Sequence, residues 1–402
     1  MGEPPVRVSL DATAVPARPA GAGRYVLDLA AALGARPDVS LTVLCRSGDE
    51  ARWRSDGVAG PPRTGAGGDR ALAARPLVLG RAPASRPLRL AWEQLRLPQV
   101  LARLPLDVHH GPHYTMPERA TLPRVVTVHD LTLLEHPGWH QPAKVAFFRR
   151  AIRIAASRAD AIVAVSAATA GRLTELLAPQ APVHVIPHGV DHARFRPRDP
   201  ADADGGVLDR AALRRIGARP PYVAFVGTLE PRKDVPTLVR AFDRLASARP
   251  GLTLVLAGGR GWGARAVEAA VAAAMHGHRV RLAGYVSEEQ KAALLRNAAV
   301  VAYPSLQEGF GLPALEAMAC GASLVTTTGS AMAEVTADAA LLVAPGDARA
   351  LAEALEAAMA GGADVARRRQ RGFEAAAGYT WARSAASHVE VYRSAASRPY
   401  GP

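Results

Sequence analysis

A chain of 402 residues, 49% of them hydrophobic, can fill two hydrophobic cores and does not have the composition of a disordered or collagenous protein. Its formal charge of +13 at pH 7 suits an anionic partner, whether phosphate groups, a membrane surface or nucleic acid, although abundant arginine and alanine are equally the mark of a GC-rich coding sequence. Two cysteines in separate halves, Cys45 and Cys320, exclude a disulfide framework and a cysteine metal cluster, and no apolar run approaches the roughly 18 residues of a spanning helix.

The N-terminal MGEPPVRVSL has no basic segment ahead of an apolar core, so cytoplasmic residence is expected, with peripheral contact at the inner face of an anionic membrane left open. Short apolar runs follow at VRVSL (6–10), LTVLC (41–45), DVHH (107–110), RVVTVHD (124–130), DAIVAVS (160–166) and VHVIP (183–187), separated by stretches of helical periodicity. Residues 55–85, rich in Gly, Pro and Arg, read as a mobile loop. Up to residue 190 the chain holds 23 Lys and Arg against 15 Asp and Glu, so this half carries +8 of the charge. RPRDPADADGG then breaks the pattern and places a linker near residues 190–215. The pattern restarts with PYVAFVG (221–227), LTLVLAG (252–258), RVRLAG (279–284), AVVAYPS (299–305), SLVTT (323–327) and ALLVAP (340–345). Strands separated by helices pair in parallel, so the fold class is α/β with two units of similar size.

Ligands of open parallel sheets gather beyond the carboxyl ends of the strands, which makes residues directly after strands the ones to read. In FVGTLEPRKD, Gly227 leads through a proline-stiffened turn to Arg232 and Lys233, two adjacent cations suited to a diphosphate and to the charge of a leaving group. In YPSLQEGFGLPALEAMACGASLV (303–325), Pro313 marks the first helical residue, and Gly309 and Gly311 let backbone N–H groups approach a ligand at the positive end of the new helix. Glu308 lies before that helix and Glu316 in its first turn, so both carboxylates project from one end. Carboxylates repel phosphate and suit neutral sugar or ribose hydroxyls as hydrogen-bond acceptors. A first-turn acid that merely complements the helix dipole accounts for Glu316 but not for Glu308 or Gly-Phe-Gly.

The Glu-x7-Glu spacing of EGFGLPALE, followed by AMACGASLVTT, strongly resembles the signature of the family 4 retaining glycosyltransferases, whose GT-B fold sets two Rossmann-like parallel-sheet domains across a cleft. VGTLEPRKDVPTLVRAF resembles the donor-phosphate motif of the members that use GDP-mannose, and GAGRYVLDLAAAL, VVTVHDLT, IVAVSAATAGRL and VIPHGVD occur in family order. The resemblance implies an acceptor-binding domain over residues 1–195, a donor-binding domain over 196–384, and a C-terminal helix, 385–402, that crosses back onto the first domain. It places Glu308 on the hydroxyls of the transferred sugar, Glu316 on the ribose, and Arg232 and Lys233 on the diphosphate. Gly227 and the backbone of Gly309, Phe310, Gly311 and Leu312 would face sugar and phosphates, His129 the reacting carbon, and Gly23 the donor phosphates. Many members have arginine where this chain has Thr228, which throws phosphate binding onto Arg232 and Lys233. The activity implied is a metal-independent, retaining transfer of mannose from GDP-mannose to a glycan, lipid-linked or small-molecule hydroxyl. A UDP-sugar or other nucleotide-sugar donor, a nucleotide-sugar epimerase of the same fold, and a non-catalytic nucleotide-sugar sensor are the alternatives. Nucleic acid is not among the partners implied.

Four further stretches carry polar or glycine-rich patterns. DADG (202–205) has the Asp-x-Asp form of a metal site but lies in the linker, and is read as solvated. GAGRYV lacks the third glycine and the preceding strand of a dinucleotide fingerprint. HHGPHY clusters His109, His110 and His113 after a strand without cysteines or helical His-x3-His spacing, so His109, His113 and Tyr114 are candidates for the acceptor cleft rather than metal ligands. His188 and Gly189 in IPHGVD are read as an inter-domain hinge.

Overall fold

The computed structural model describes residues 3–54, 76–199 and 203–398. The chain separates into two compact units, residues 1–189 with 381–402, and residues 190–380.

In the first unit the described strands are β1 (Val6–Asp11), β2 (Val39–Arg46), β3 (Leu77–Ala82), β4 (Val108–Gly111), β5 (Arg124–Val128), β6 (Ala161–Ala164) and β7 (Val183–Val185). They form one parallel sheet in the order β3-β2-β1-β4-β5-β6-β7. The inner strands are largely buried: all four residues of β6 (AIVA) are apolar and buried, and β4 (VHHG) is buried along its whole length although it carries two histidines. Strand β3 lies inside the stretch read as a loop, and the loop reading is corrected there. Leu77, Val78 and Leu79 pair with Thr42, Val43 and Leu44 of β2, and a short LVL run at a sheet edge next to Pro and Gly gives little periodicity to read. Residues 55–75 of that stretch lie outside the described residues.

The helix Trp381–Ala396 belongs to this unit and packs on the helix Ala22–Gly34 and on β1, β4 and β5. A buried chain of hydrogen bonds fixes it there, and each proton can be assigned. The Ser384 carbonyl can only accept, so His388 donates from Nδ1 (2.8 Å), which leaves His388 Nε2 to accept from the Tyr25 hydroxyl (2.9 Å). Tyr25 then accepts from Thr127 (2.9 Å), Thr127 accepts from His110 Nε2–H (2.8 Å), and His110 Nδ1 accepts from Tyr392 (2.7 Å). Burial holds His388 down at about 4 and His110 well below its ordinary value, so both stay neutral and the directions of the chain are preserved at neutral pH.

The second unit holds β8 (Tyr222–Val226), β9 (Thr253–Ala257), β10 (Val280–Gly284), β11 (Val300–Tyr303), β12 (Leu324–Thr327) and β13 (Ala340–Val343) in a parallel sheet ordered β10-β9-β8-β11-β12-β13. Strand order reverses between β8 and β11, and every residue of these two strands is buried. A crevice between diverging loops opens at such a reversal, just past the carboxyl ends. The linker reading for 190–215 also needs correction. Residues 203–216 form the helix Ala203–Ile216, whose Asp209 takes Arg296 Nη1 at 2.6 Å and Asn297 Nδ2 at 2.8 Å. Arg296 further donates to the carbonyls of Arg194 (3.0 Å) and Arg196 (2.9 Å), which binds residues 190–199 to this unit; the break in the chain therefore falls after Gly189.

Candidate functional site

The two loops at the reversal are built from opposite needs, one for close backbone packing and one for charge. After β8, residues 227–231 lie backbone to backbone against the glycine-rich GGRGWG segment that follows β9. Leu229 N–H donates to the Gly259 carbonyl (3.1 Å) and Gly263 N–H to the Leu229 carbonyl (2.9 Å). A Cβ on Gly258, which sits at φ +148°, would lie 2.0 Å from the Gly227 oxygen, so only glycine permits this approach. The turn thus held delivers Arg232 and Lys233 on a single 3-10 turn, Pro231–Lys233.

After β11, Ser305 to Gly311 bring Glu308 onto those cations. Arg232 Nη1 donates to Glu308 Oε2 at 2.6 Å and Arg232 Nε to Glu230 Oε2 at 3.1 Å. Lys233 Nζ donates to Glu308 Oε1, which also accepts from Ser305 Oγ at 2.7 Å. Leu306 N–H on the Arg232 carbonyl (2.8 Å) ties the loops together. Burial alone would raise the Glu308 carboxyl, but the charges of Arg232 and Lys233 outweigh it and hold the group down at about 2. Burial lowers Lys233 from its ordinary value; Glu308 opposes that shift and Arg232 adds to it.

Glu316 sits elsewhere than the sequence suggested. The helix is Leu312–Ala319, with Gly311 as its N-cap in left-handed geometry (φ +104°), where a Cβ would come within 2.3 Å of Met332 Sδ. Pro313 is therefore its second residue and Glu316 its fifth, in the second turn, too far along for the dipole role of a first-turn acid. Its partner is Lys291 of the helix Glu288–Arg296, at 2.7 Å, and the same ammonium reaches Glu288 at 3.1 Å and lies 4.9 Å over the Phe195 ring. Burial alone would lower Lys291; Glu316 and Glu288 reverse this and raise it. The helix start is also poorer in donors than expected, because Pro313 has no N–H and those of Ala314 and Leu315 are taken by the Gly311 carbonyl at 2.9 and 3.1 Å. Gly309 and Phe310 are buried, with the Phe310 ring 6.0 Å from that of Tyr379.

Within the first unit, His129 follows β5 and places Nε2 2.8 Å from the Pro112 carbonyl; that nitrogen carries the proton and Nδ1 is left as an acceptor. Burial lowers its pKa, so the ring is neutral. The rings of Tyr25 (5.1 Å), His113 (5.7 Å), Tyr114 (5.7 Å) and His188 (5.8 Å) surround it. Gly23 is the second residue of the helix Ala22–Gly34, packed against Pro16 and Pro19, not part of an open loop. His109 is corrected as a cleft candidate: it is fully buried inside β4 with Nδ1 on Ser9 Oγ (2.9 Å), because the strand runs on to Gly111 and draws both histidines into the core. His113 is half-buried and stacks on Phe148 at 5.5 Å, and the buried Tyr114 accepts from Asp130 N–H at 3.1 Å. Asp202 of DADG lies outside the described residues, and Ala203 already opens a helix.

Sequence reasoning missed Lys291, Glu230 and Ser305. Glu230 and Ser305 stand inside the quoted motifs, so reading their acidic and hydroxyl groups alongside the cations could have found them. Lys291 is two elements from its partner and leaves no local trace. Among the described residues, no group of three or more His, Cys, Asp or Glu could hold a metal ion. No described helix is long and apolar enough to cross a membrane.

Two family models match, Glycosyltransferase Family 4 over residues 19–194 and Glycosyl transferases group 1 over 211–375. The chain is 32% identical over 246 residues to O-antigen chain mannosyltransferase B of Escherichia coli, covering 61% of this chain and 63% of that one, so it spans under two thirds of that relative. It is 32% identical over 291 residues to D-inositol 3-phosphate glycosyltransferase of Xylanimonas cellulosilytica, covering 70% and 68%. Among solved structures, sucrose-phosphate synthase from Thermosynechococcus elongatus matches with a TM-score of 0.74 at 22% identity, over 97% of this chain and 98% of that one. With the two parallel sheets, that agreement gives the GT-B fold expected from the sequence.

Proposed function

Because the chain belongs to glycosyltransferase family 4, we propose that it transfers a sugar from a nucleotide-sugar donor to a hydroxyl acceptor, with GDP-mannose as the donor and retention at the anomeric carbon. The observation that carries this reading is the Arg232–Glu308–Lys233 cluster at the point where the second sheet reverses order. Two cations fixed on a rigid turn fit a pyrophosphate, and a carboxylate kept ionised beside them fits the alcohols of a sugar. The RK-containing motif and the mannosyltransferase relative support mannose.

In this mechanism the bond from the anomeric carbon to the β-phosphate oxygen breaks while the acceptor oxygen bonds to that carbon on the same face. The acceptor proton passes to the departing phosphate oxygen, whose charge Arg232 and Lys233 stabilise. Glu308 is gripped by two cations and Ser305, a poor state for a nucleophile, which supports direct transfer over a covalent intermediate. Glu316, set by Lys291, reads the ribose. No metal takes part in this scheme. The acceptor is a glycan, a lipid-linked sugar or a small metabolite served by the first unit, with peripheral contact to an anionic membrane.

The test is incubation with GDP-mannose and a set of sugar and lipid acceptors, followed by NMR of the product. An α-mannoside formed equally well in chelator supports the reading. A UDP-sugar used in preference moves the donor assignment, and an epimerised nucleotide sugar, or binding without transfer, overturns the activity.

A further inference from the structure

The helix Arg86–Leu95 of the first unit has two different faces. Inward, Arg89 Nη1 donates to Thr13 Oγ1 (3.4 Å) and the buried Glu93 accepts from Thr115 Oγ1 (3.1 Å), so this side touches the loops after β1 and β4, at the carboxyl end of the sheet. Outward, Leu88 and Leu95 are 61% and 64% exposed, and Trp92, at i+4 of the same i, i+4, i+7 stripe, is half-buried and packs in part on the cluster of Leu44, Leu97 and Leu101. Leu77 of β3, two residues before Leu79 on the same side of the strand, is 51% exposed. A groove of about 720 Å³ opens between this helix, the helix Leu97–Leu101 and β3, with Leu79, Trp92 and Val100 among its lining and Arg81, Arg96 and Arg103 as its cations. All three arginines are exposed, and their guanidinium groups have no acid or hydrogen-bond partner among the described residues.

Three guanidiniums without an acid set directly beside exposed leucines make a surface that is both cationic and apolar, and an exposed apolar patch rimmed by polar groups marks an interaction site. The only acid in residues 77–104 is Glu93, and burial, with Asp11 next to it, pushes its carboxyl well above the usual carboxylate range, so the segment presents no negative charge. Guanidinium forks match phosphate oxygens, and exposed leucines on the adjoining helix face suit the acyl boundary. Nucleic acid would satisfy the arginines and leave the leucines in water.

We propose that the groove and the Leu88–Trp92–Leu95 stripe form a docking surface for a bilayer bearing anionic phospholipids. The same helix that meets the membrane outside then touches the acceptor side of the sheet inside, which suits a lipid-linked acceptor. The inference rests on the first unit serving the acceptor, but vesicle binding is read without any transfer reaction, so the two fail separately.

The full chain is floated with vesicles of mixed phosphatidylglycerol and phosphatidylcholine, and with phosphatidylcholine alone. Binding is expected on the anionic vesicles only, and weakens with salt. The R81A/R96A/R103A variant should partition about a hundredfold more weakly, at about fivefold per arginine. L88S/L95S should lose the part of binding that survives high salt. A control, R210A/R214A/R215A, removes the same charge from the second unit, where Arg210, Arg214 and Arg215 are likewise exposed, and should float like the parent. Absence of binding by the parent, equal loss in the control, a folded groove variant that floats unchanged, or release of the parent by inorganic pyrophosphate as readily as by salt would each overturn the proposal.

Discussion

Glu308→Gln removes one charge and almost no volume, and its cost can be worked from the pairings. A carboxyl held at about 2 instead of its ordinary 4.5 contributes about 3 kcal/mol to the folded chain at pH 7. Solvent screening takes little of this away, because the side chain is only 8% exposed. The amide keeps a hydrogen-bond acceptor but leaves the buried Lys233 beside the half-buried Arg232 with no carboxylate between them, and removing one member of a buried pair costs from about 3 kcal/mol upward. For a unit of this size each kcal/mol moves the transition by about 2–4 °C, so the second unit should melt about 6–12 °C lower, by calorimetry or by denaturant titration. The sign with pH is equally definite. Glu308 has a lowered pKa, so its contribution is complete above about 4.5 and is lost as pH falls towards about 2; the variant should lack that loss. A variant as stable as the parent at neutral pH would refute the charge-compensation argument.

Three other outcomes follow from the same geometry. Lys233→Ala should lower kcat about a hundredfold, the cost of one transition-state charge contact near 3 kcal/mol, and unchanged turnover would remove Lys233 from the chemistry. Lys291→Met should raise the donor KM about tenfold with kcat within a few fold, since it loosens Glu316 and Glu288 and touches neither Glu308 nor the two cations; a kcat loss at constant KM would contradict that role. Acid should destabilise the first unit before it reaches Glu308. His109 and His388 are held by burial at about 4 and His113 at about 3, against 6.5 when unfolded, so the unfolded chain takes up protons that the folded one refuses. Stability should fall by about 2–4 kcal/mol per pH unit below 6.5, and a flat denaturation profile from pH 7 to 5 would refute it.

Much of the architecture is written locally. Twelve of the thirteen described strands are short apolar runs bounded by turn residues, and β3 escaped because three apolar residues at an edge carry no period. The chain also names the groups that meet at the reversal of the second sheet, since Arg232, Lys233 and Glu308 each lie in the connection that follows a strand. Where helices begin is less legible. Glu316 was placed a turn too early because Pro313 can occupy either of the first two positions, and only the left-handed Gly311 against Met332 decides between them. Long-range partners were not legible at all. Lys291 meets Glu316 across 25 positions and His110 meets Tyr392 across 282, distances over which only tertiary packing brings groups together. His109 shows the converse error, since a polar residue after an apolar run reads as a loop until the strand is seen to continue through it.

The charges at the clamp already cancel before a donor arrives. Arg232 and Lys233 are matched by Glu230 and Glu308 through the contacts seen here, so a pyrophosphate cannot simply add to two free cations. If the donor sits as proposed, its pyrophosphate must displace carboxylate from guanidinium and ammonium, and the Glu308 freed in this way is the group proposed to accept from the sugar. Donor affinity is then the difference between two strong pairings, and catalysis gains from the exchange because the sugar contact is made only once the phosphates are seated. Glu308→Gln separates the two effects. With no carboxylate to displace, a nucleoside diphosphate lacking the sugar should bind at least about tenfold more tightly by calorimetry, as about 1.4 kcal/mol of competition is removed. Transfer should nevertheless slow, because the sugar loses its charged acceptor. Weaker binding of the diphosphate to the variant would mean that Glu308 organises the cations for phosphate instead of competing for them.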